Sequence, residues 1–207
     1  MPHRQLGAGM FIAKLTPSDL RRGDPFVEAV VAHLARFRAA ISAPLGELRG
    51  YLAGGLAVRC YTGSRTTGDI DMFFAGGRVL MPPNSVVLVS ADGADYSLVF
   101  DHQYTPDFGL LRPDYADRAV DLPAPDGDGF PLSVLHPVDL AITKVARLQD
   151  HDRADIAALA RLGVFDAQAL ARLGEQALGF AVGDLSFVRM NLRDAAAIVA
   201  AVRAKST

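Results

Sequence analysis

The stretch Tyr51–Phe74, YLAGGLAVRCYTGSRTTGDIDMFF, decides how the rest of the chain is read. Its apolar start, Tyr51 to Ala53, reads as a short strand, Gly54 and Gly55 as a tight turn, and LAVRCYTG as the opening of a helix. After thirteen intervening residues comes DIDMFF, where the acids alternate with Ile70 and Met72 as in a strand with one polar and one apolar face. Asp69 and Asp71 then share a face. Two carboxylates so placed can share divalent cations, and Mg²⁺ takes carboxylate oxygens while keeping positions for water and phosphate. Gly54 and Gly55 would let backbone N–H groups and the helix terminus approach a polyphosphate.

Each half of this pattern has a plainer explanation. A Gly pair is usually a turn, and Asp-x-Asp occurs three times, at Asp69 and Asp71, Asp126 and Asp128, and Asp150 and Asp152. Context separates them. The second lies among turn formers in PAPDGDG, and the third falls at a break between helices, where Asp152 is the natural N-cap. Only the first lies in a β pattern.

Upstream, Asp24 and Pro25 cap a helix whose apolar residues, Phe26, Val30, Leu34, Phe37 and Ile41, recur at helical steps. Downstream, Val86–Val89 and Tyr96–Phe100 are β-prone runs joined by ADGAD, a hairpin composition. The Pro-, Asp- and Gly-rich segment from Thr105 to Gly129 reads as loop with a short strand at Ala119–Leu122, and Phe130–Leu135 as one more strand. Helical spacing then dominates, over Pro137–Gln149, Asp152–Leu162, Asp166–Leu178 and Ser186–Ala204, with Gly163 and Gly179 as stops. The expected fold is therefore α/β, a mixed sheet over residues 1–136 followed by a helical region, 137–207, packing on the site.

With 207 residues, 50% hydrophobic and 21% charged, the chain is long enough to bury a proper core and shows no sign of disorder. Cys60 is the single cysteine, which excludes an intrachain disulfide and a Cys-type zinc site and suits a core side chain. The weakly apolar start and the lack of any run near the ~20 residues a membrane helix needs point to the cytoplasm and away from a membrane. A net charge of −2 hides an uneven distribution. Basic residues outnumber acidic ones 7 to 4 over residues 1–50 and 4 to 1 over 187–207, whereas Asp92–Asp128 holds 9 acids and 2 bases and would repel a phosphate backbone. No P-loop, HExxH or GxSxG occurs, so Walker-type hydrolysis, zinc proteolysis and serine hydrolysis lack support.

Gly54-Gly55 followed by Arg65-Thr66-Thr67-Gly68-Asp69-Ile70-Asp71 resembles the signature of the DNA polymerase β-like nucleotidyltransferase superfamily. With LHPVDLAITKVARLQDHDRADIAAL, Leu135–Leu159, the chain looks more narrowly like the bacterial branch of abortive-infection and type IV toxin–antitoxin nucleotidyltransferases. The resemblance implies nucleotidyl transfer from an NTP, with Mg²⁺ or Mn²⁺, to an acceptor hydroxyl. It casts Asp69 and Asp71 as metal ligands, Gly54, Gly55, Ser64, Arg65 and Thr67 as nucleotide contacts, and Lys144 and Arg147 as phosphate contacts. A third carboxylate belongs on a neighbouring strand: Asp101, closing YSLVFD, is the first choice and Asp121, in RAVDL, the second. The chain departs from the pattern in one place, since many members carry Ser directly after the first Gly and here Gly55 is followed by Leu56. Ser64 is one candidate to replace that hydroxyl.

Other polar residues have two readings each. Arg65 and Thr67 suit a turn as well as a nucleotide, and Lys144 and Arg147 suit a solvated helix face. Asp155 either pairs with neighbouring bases or faces the site; His102 suits a proton carrier or a surface position, and His136 a turn. In the branch named above the acceptor is often the 3′ end of a transfer RNA, and the basic chain ends permit RNA, though no aromatic stacking motif favours it. A protein hydroxyl or a small molecule is the alternative acceptor, and a cognate antitoxin the implied partner. The rival function is a nucleotidyltransferase-like fold without chemistry, binding a nucleotide or a protein partner.

Overall fold

The computed structural model describes residues 10–39, 46–77, 79, 85–101, 110–123 and 130–205. His102 and the PAPDGDG turn from Asp126 lie outside them. In chain order the elements are α1 (Pro25–Ala39), β1 (Arg49–Leu52), α2 (Gly54–Thr62), β2 (Asp69–Ile70), β3 (Met72–Ala75), β4 (Val86–Ala91), β5 (Ala94–Phe100), β6 (Val120–Asp121), β7 (Leu132–Val134), α3 (Pro137–Thr143), α4 (Asp150–Arg161), α5 (Ala167–Leu178) and α6 (Ser186–Ala204). This is the α/β architecture expected, strands first and helices after.

The strands form two mixed sheets rather than one. In the first, β1 lies antiparallel to β3 and parallel to β7, and β6 pairs antiparallel with β7. In the second, β5 lies parallel to β2 and antiparallel to β4. The cause is a change of partners inside DIDMFF, which the alternation of side chains predicts to be one strand. Ile70 C=O accepts from Asp101 N–H at 3.1 Å, in the second sheet, whereas Asp71 C=O accepts from Ala53 N–H at 2.9 Å, in the first. Asp71 is thus the hinge between sheets.

The helices follow their sequence signals with two corrections. Asp24 caps α1 as expected, accepting from Phe26 N–H at 3.0 Å, and Asp166 caps α5, accepting from Ala169 N–H at 2.7 Å. The helix expected over Pro137–Gln149 stops at Thr143, because the chain tightens into a turn there and reaches a left-handed Leu148 at φ 47°. Asp152 is not the N-cap of the next helix. Gln149 holds that place, and Asp152, one turn in, folds back to accept from Gln149 N–H at 3.0 Å. Both expected glycine stops stand at helix ends: Gly163 follows α4 at φ 73°, and Gly179 is the C-cap of α5, in right-handed conformation.

One apolar cluster runs from Leu20 to Val199 through both sheets and all six helices. Helix α1 covers one face of the second sheet, burying Val27, Val30 and Leu34 against inward residues Val87, Val89, Leu98 and Phe100. Each such side chain contributes roughly 2 kcal/mol through lost apolar exposure. Cys60 is fully buried in this core, as expected, with its thiol pushed up to about 12 by desolvation. Polar ties fix the layers: Arg59 on α2 makes a two-pronged contact with Asp24 at 2.8 and 2.9 Å, lies 3.9 Å over the Phe26 ring, and donates to Arg65 C=O at 3.1 Å. Arg118 grips Asp139 of α3 with two nitrogens, Nε and Nη2, at 2.9 and 2.8 Å, one to each carboxylate oxygen.

His136, expected in a turn, caps α3: its Nδ1 accepts from Val138 N–H at 3.2 Å and its Nε2 donates to Ala13 C=O at 3.1 Å. Burial first, then the nearby Arg118 charge, lowers its pKa from 6.5 to about 4. The unfolded chain therefore takes up a proton that the native state refuses, and stability falls as pH drops from 6.5 towards 4. The window lies above the range in which Asp114 and Asp152, whose pKa values are lowered, titrate. The expected loss is roughly 3 kcal/mol. Urea unfolding at a series of pH values should show this slope in the native chain and its removal in His136→Asn, which keeps an acceptor for Val138 N–H.

Candidate active site

The site begins where β1 meets α2. Gly54 sits at φ 57°, and a Cβ there would lie 1.6 Å from Asp71 Oδ2, so both the backbone angle and the space demand glycine. The Gly55 backbone amide favours the charged form of the Asp71 carboxylate. A Cβ at Gly55 would meet Thr67 Cβ and Oγ1, each at 3.0 Å. The glycine corner therefore admits the Asp71 side chain and the loop before β2. It does so before any ligand approaches.

Asp69, Asp71 and Asp101 line one cavity of about 460 Å³ with the glycine corner, and Lys144 and Arg147 line it from the turn after α3. That volume suits a small-molecule ligand. Asp69 and Asp101 are exposed, while Asp71 is half-buried. Desolvation raises the Asp71 pKa first, then repulsion from Asp101 and Asp69; Lys144 and the Gly55 amide act in the opposite direction. No group of three or more His, Cys, Asp or Glu side chains closes around a single point among the described residues.

The positive wall is held from behind. Lys144 is 7% exposed and its Nζ lies 2.7 Å from Asp155 Oδ2 and 3.9 Å from Asp152 Oδ1. Arg65 Nε reaches the same Asp155 at 3.1 Å. Arg147 contacts Asp152 through Nε and Nη2, both at 2.9 Å, and donates from Nη2 to His151 Nε2 at 2.7 Å. Asp152 and Asp155 are themselves buried, so α4 fixes the direction of three basic side chains that come from the loop before β2 and the turn after α3.

Of the residues singled out in the sequence, Gly54, Gly55, Arg65, Thr67, Asp69, Asp71, Asp101, Lys144 and Arg147 are gathered on this cavity. Ser64 is exposed and does not line it. Neither does Asp121, which is engaged with Arg49 and Ser133 on the first sheet. Thr143, Ala146, His151 and Asp152 complete the lining. No sequence signal singled out His151, since a break between α3 and α4 separates it from Lys144 and Arg147.

The three acids, the glycine corner and the basic side chains thus meet in one cavity. Residues 47–190 match the family described as nucleotidyltransferase of unknown function (DUF6036), and the chain belongs to that family. No curated protein matches the chain.

Two substitutions test this construction. Gly54→Ala should lower unfolding free energy in urea by about 2 kcal/mol, from the left-handed backbone and the collision with Asp71. Asp155→Leu should cost about 3 kcal/mol by stranding buried Lys144, and the pair Asp155→Leu with Lys144→Met should regain most of it, since it removes the buried ammonium and leaves only the part-exposed Arg65 guanidinium to be met by solvent.

Proposed function

We propose that this chain is a Mg²⁺-dependent nucleotidyltransferase that moves a nucleoside monophosphate from an NTP to an acceptor hydroxyl. The observation that carries the reading is Asp71 seated in the glycine corner, with Asp69 and Asp101 beside it and Lys144, Arg147 and His151 across the same cavity. The acids fit the cation: Mg²⁺ usually takes one or two carboxylates and completes its shell with water and phosphate oxygens. Bound there, Mg²⁺, or Mn²⁺ in its place, supplies charge neutralisation at the α-phosphate and the leaving group.

The remaining roles belong to the chain. Lys144 and Arg147 face the β- and γ-phosphates, their directions fixed by Asp155 and Asp152. Thr67 takes the place of the hydroxyl that many members carry after the first Gly, because its Cβ and Oγ1 fill the volume a side chain at Gly55 would occupy. Ser64 does not line the cavity. In the transfer, the acceptor oxygen bonds to the α-phosphorus as the bond to the bridging oxygen breaks, pyrophosphate leaves, and the acceptor proton passes to Asp101. Any hydroxyl meets this chemistry, whether on an RNA 3′ end, a protein or a small molecule. A toxin-like or defence role, with a cognate antitoxin, is the setting that the sequence resemblance suggests.

One observation favours a binding module instead: Arg65, Lys144 and Arg147 are already paired with carboxylates. The two readings separate on incubation with each α-labelled NTP, Mg²⁺ and RNA or protein extract. Transfer that chelation abolishes and Asp71→Asn lowers roughly 10³-fold identifies the enzyme. Mg²⁺-dependent NTP binding without transfer identifies the module.

A further inference from the structure

The second sheet has one face under α1 and one face open. Side chains alternate along a strand, so Tyr96, Leu98 and Phe100 on β5 point towards α1, where the Tyr96 ring lies 5.0 Å from Phe26. Ser97, Val99 and Asp101 point the other way. Register places Asp69 of β2 opposite Val99, and Val99 opposite Val86 of β4, with Ser97 opposite Leu88 in the next row. Val86, Leu88 and Val99 are 41%, 77% and 42% exposed. The acids of the cavity and this aliphatic patch therefore belong to one continuous surface. With strands spaced about 4.8 Å apart, Val86 lies roughly 10 Å across the sheet from Asp69.

We propose that this open face is the acceptor platform, and that its occupant is a polypeptide segment carrying basic and apolar side chains rather than a nucleic acid. The inference rests on the nucleotidyltransferase reading and names its second substrate. Residues 85–101 contain no Lys or Arg and three Asp, of which Asp95 and Asp101 share the side of Ser97 and Val99 while Asp92 lies in the turn; Asp69, opposite Val99, is a third acid on the face. Nucleic-acid affinity comes largely from Lys and Arg neutralising phosphates, and here the field has the opposite sign. The bases that line the adjoining cavity, Arg65, Lys144 and Arg147, are engaged by Asp155 and Asp152. Base stacking needs exposed rings, and the hairpin's aromatic residues are turned inward onto α1. Aliphatic side chains ringed by carboxylates instead complement alternating Leu and Arg. Among the described residues β4 is also the edge of its sheet, which adds main-chain donors and acceptors for an extended segment.

The test titrates three probes into the full chain by fluorescence anisotropy, without nucleotide: a peptide alternating Arg and Leu around one Ser, the same peptide with Glu for Arg, and a single-stranded oligoribonucleotide. Expected is binding of the Arg–Leu peptide, about tenfold weaker binding of the Glu peptide, no displacement by the oligoribonucleotide, and about tenfold weakening by Leu88→Lys, a change at an exposed position. Displacement by the oligoribonucleotide, or peptide binding indifferent to Leu88→Lys, overturns the proposal. A separate Mg²⁺–ATP titration of the native chain reads the parent function. Its failure removes the transferase while the peptide titration still decides the surface.

Discussion

The approach of the Asp71 carboxylate to the backbone at Gly54 is the contact on which the rest of the site depends. It requires a residue without a side chain at a left-handed angle, brings the strand ribbon up against the start of α2, and pulls Asp71 half out of water. The same residue changes the sheet to which its strand belongs, since its C=O pairs with Ala53 while the C=O before it pairs with Asp101. Fold and candidate chemistry thus turn on one position: a carboxylate at a join between two sheets cannot relax away from its neighbours without unpairing both.

Around that point the molecule divides its charges by layer. Acids stand on the strands, bases on the loop before β2 and the turn after α3, and a second rank of acids on α4 neutralises the bases from behind. Burying Asp152 and Asp155 is costly alone and tolerable only because each is paired. The C-terminal helices therefore act on the site through electrostatics as well as packing, and their presence is a condition for the basic wall to face inward.

Much of this was legible in the sequence, and the parts that were not share a cause. Local signals worked where the determinant is local: Asp24 as a cap, the hairpin around Asp92–Gly93, and the glycine turn between β1 and α2. They failed where tertiary partners decide. Alternation in DIDMFF is the same whether one sheet or two receives it, and only the pairing of Ala53 and Asp101 splits it. Asp152 has the sequence context of an N-cap, yet Arg147 and Gln149 draw it one turn into the helix. Asp101 and Asp121 were separable in sequence only by the clarity of their strands; what distinguishes them in space is Arg49, which holds Asp121 on the other sheet.

Cys60 offers a practical consequence. It is the chain's single sulfhydryl, fully enclosed, and so strongly disfavours ionisation that alkylating reagents will find almost no thiolate to attack. A cysteine introduced at any chosen surface position can therefore carry a maleimide dye or a nitroxide alone, with the native background left in place. Distances between two such reporters can then follow the molecule's internal movements without first re-engineering its interior.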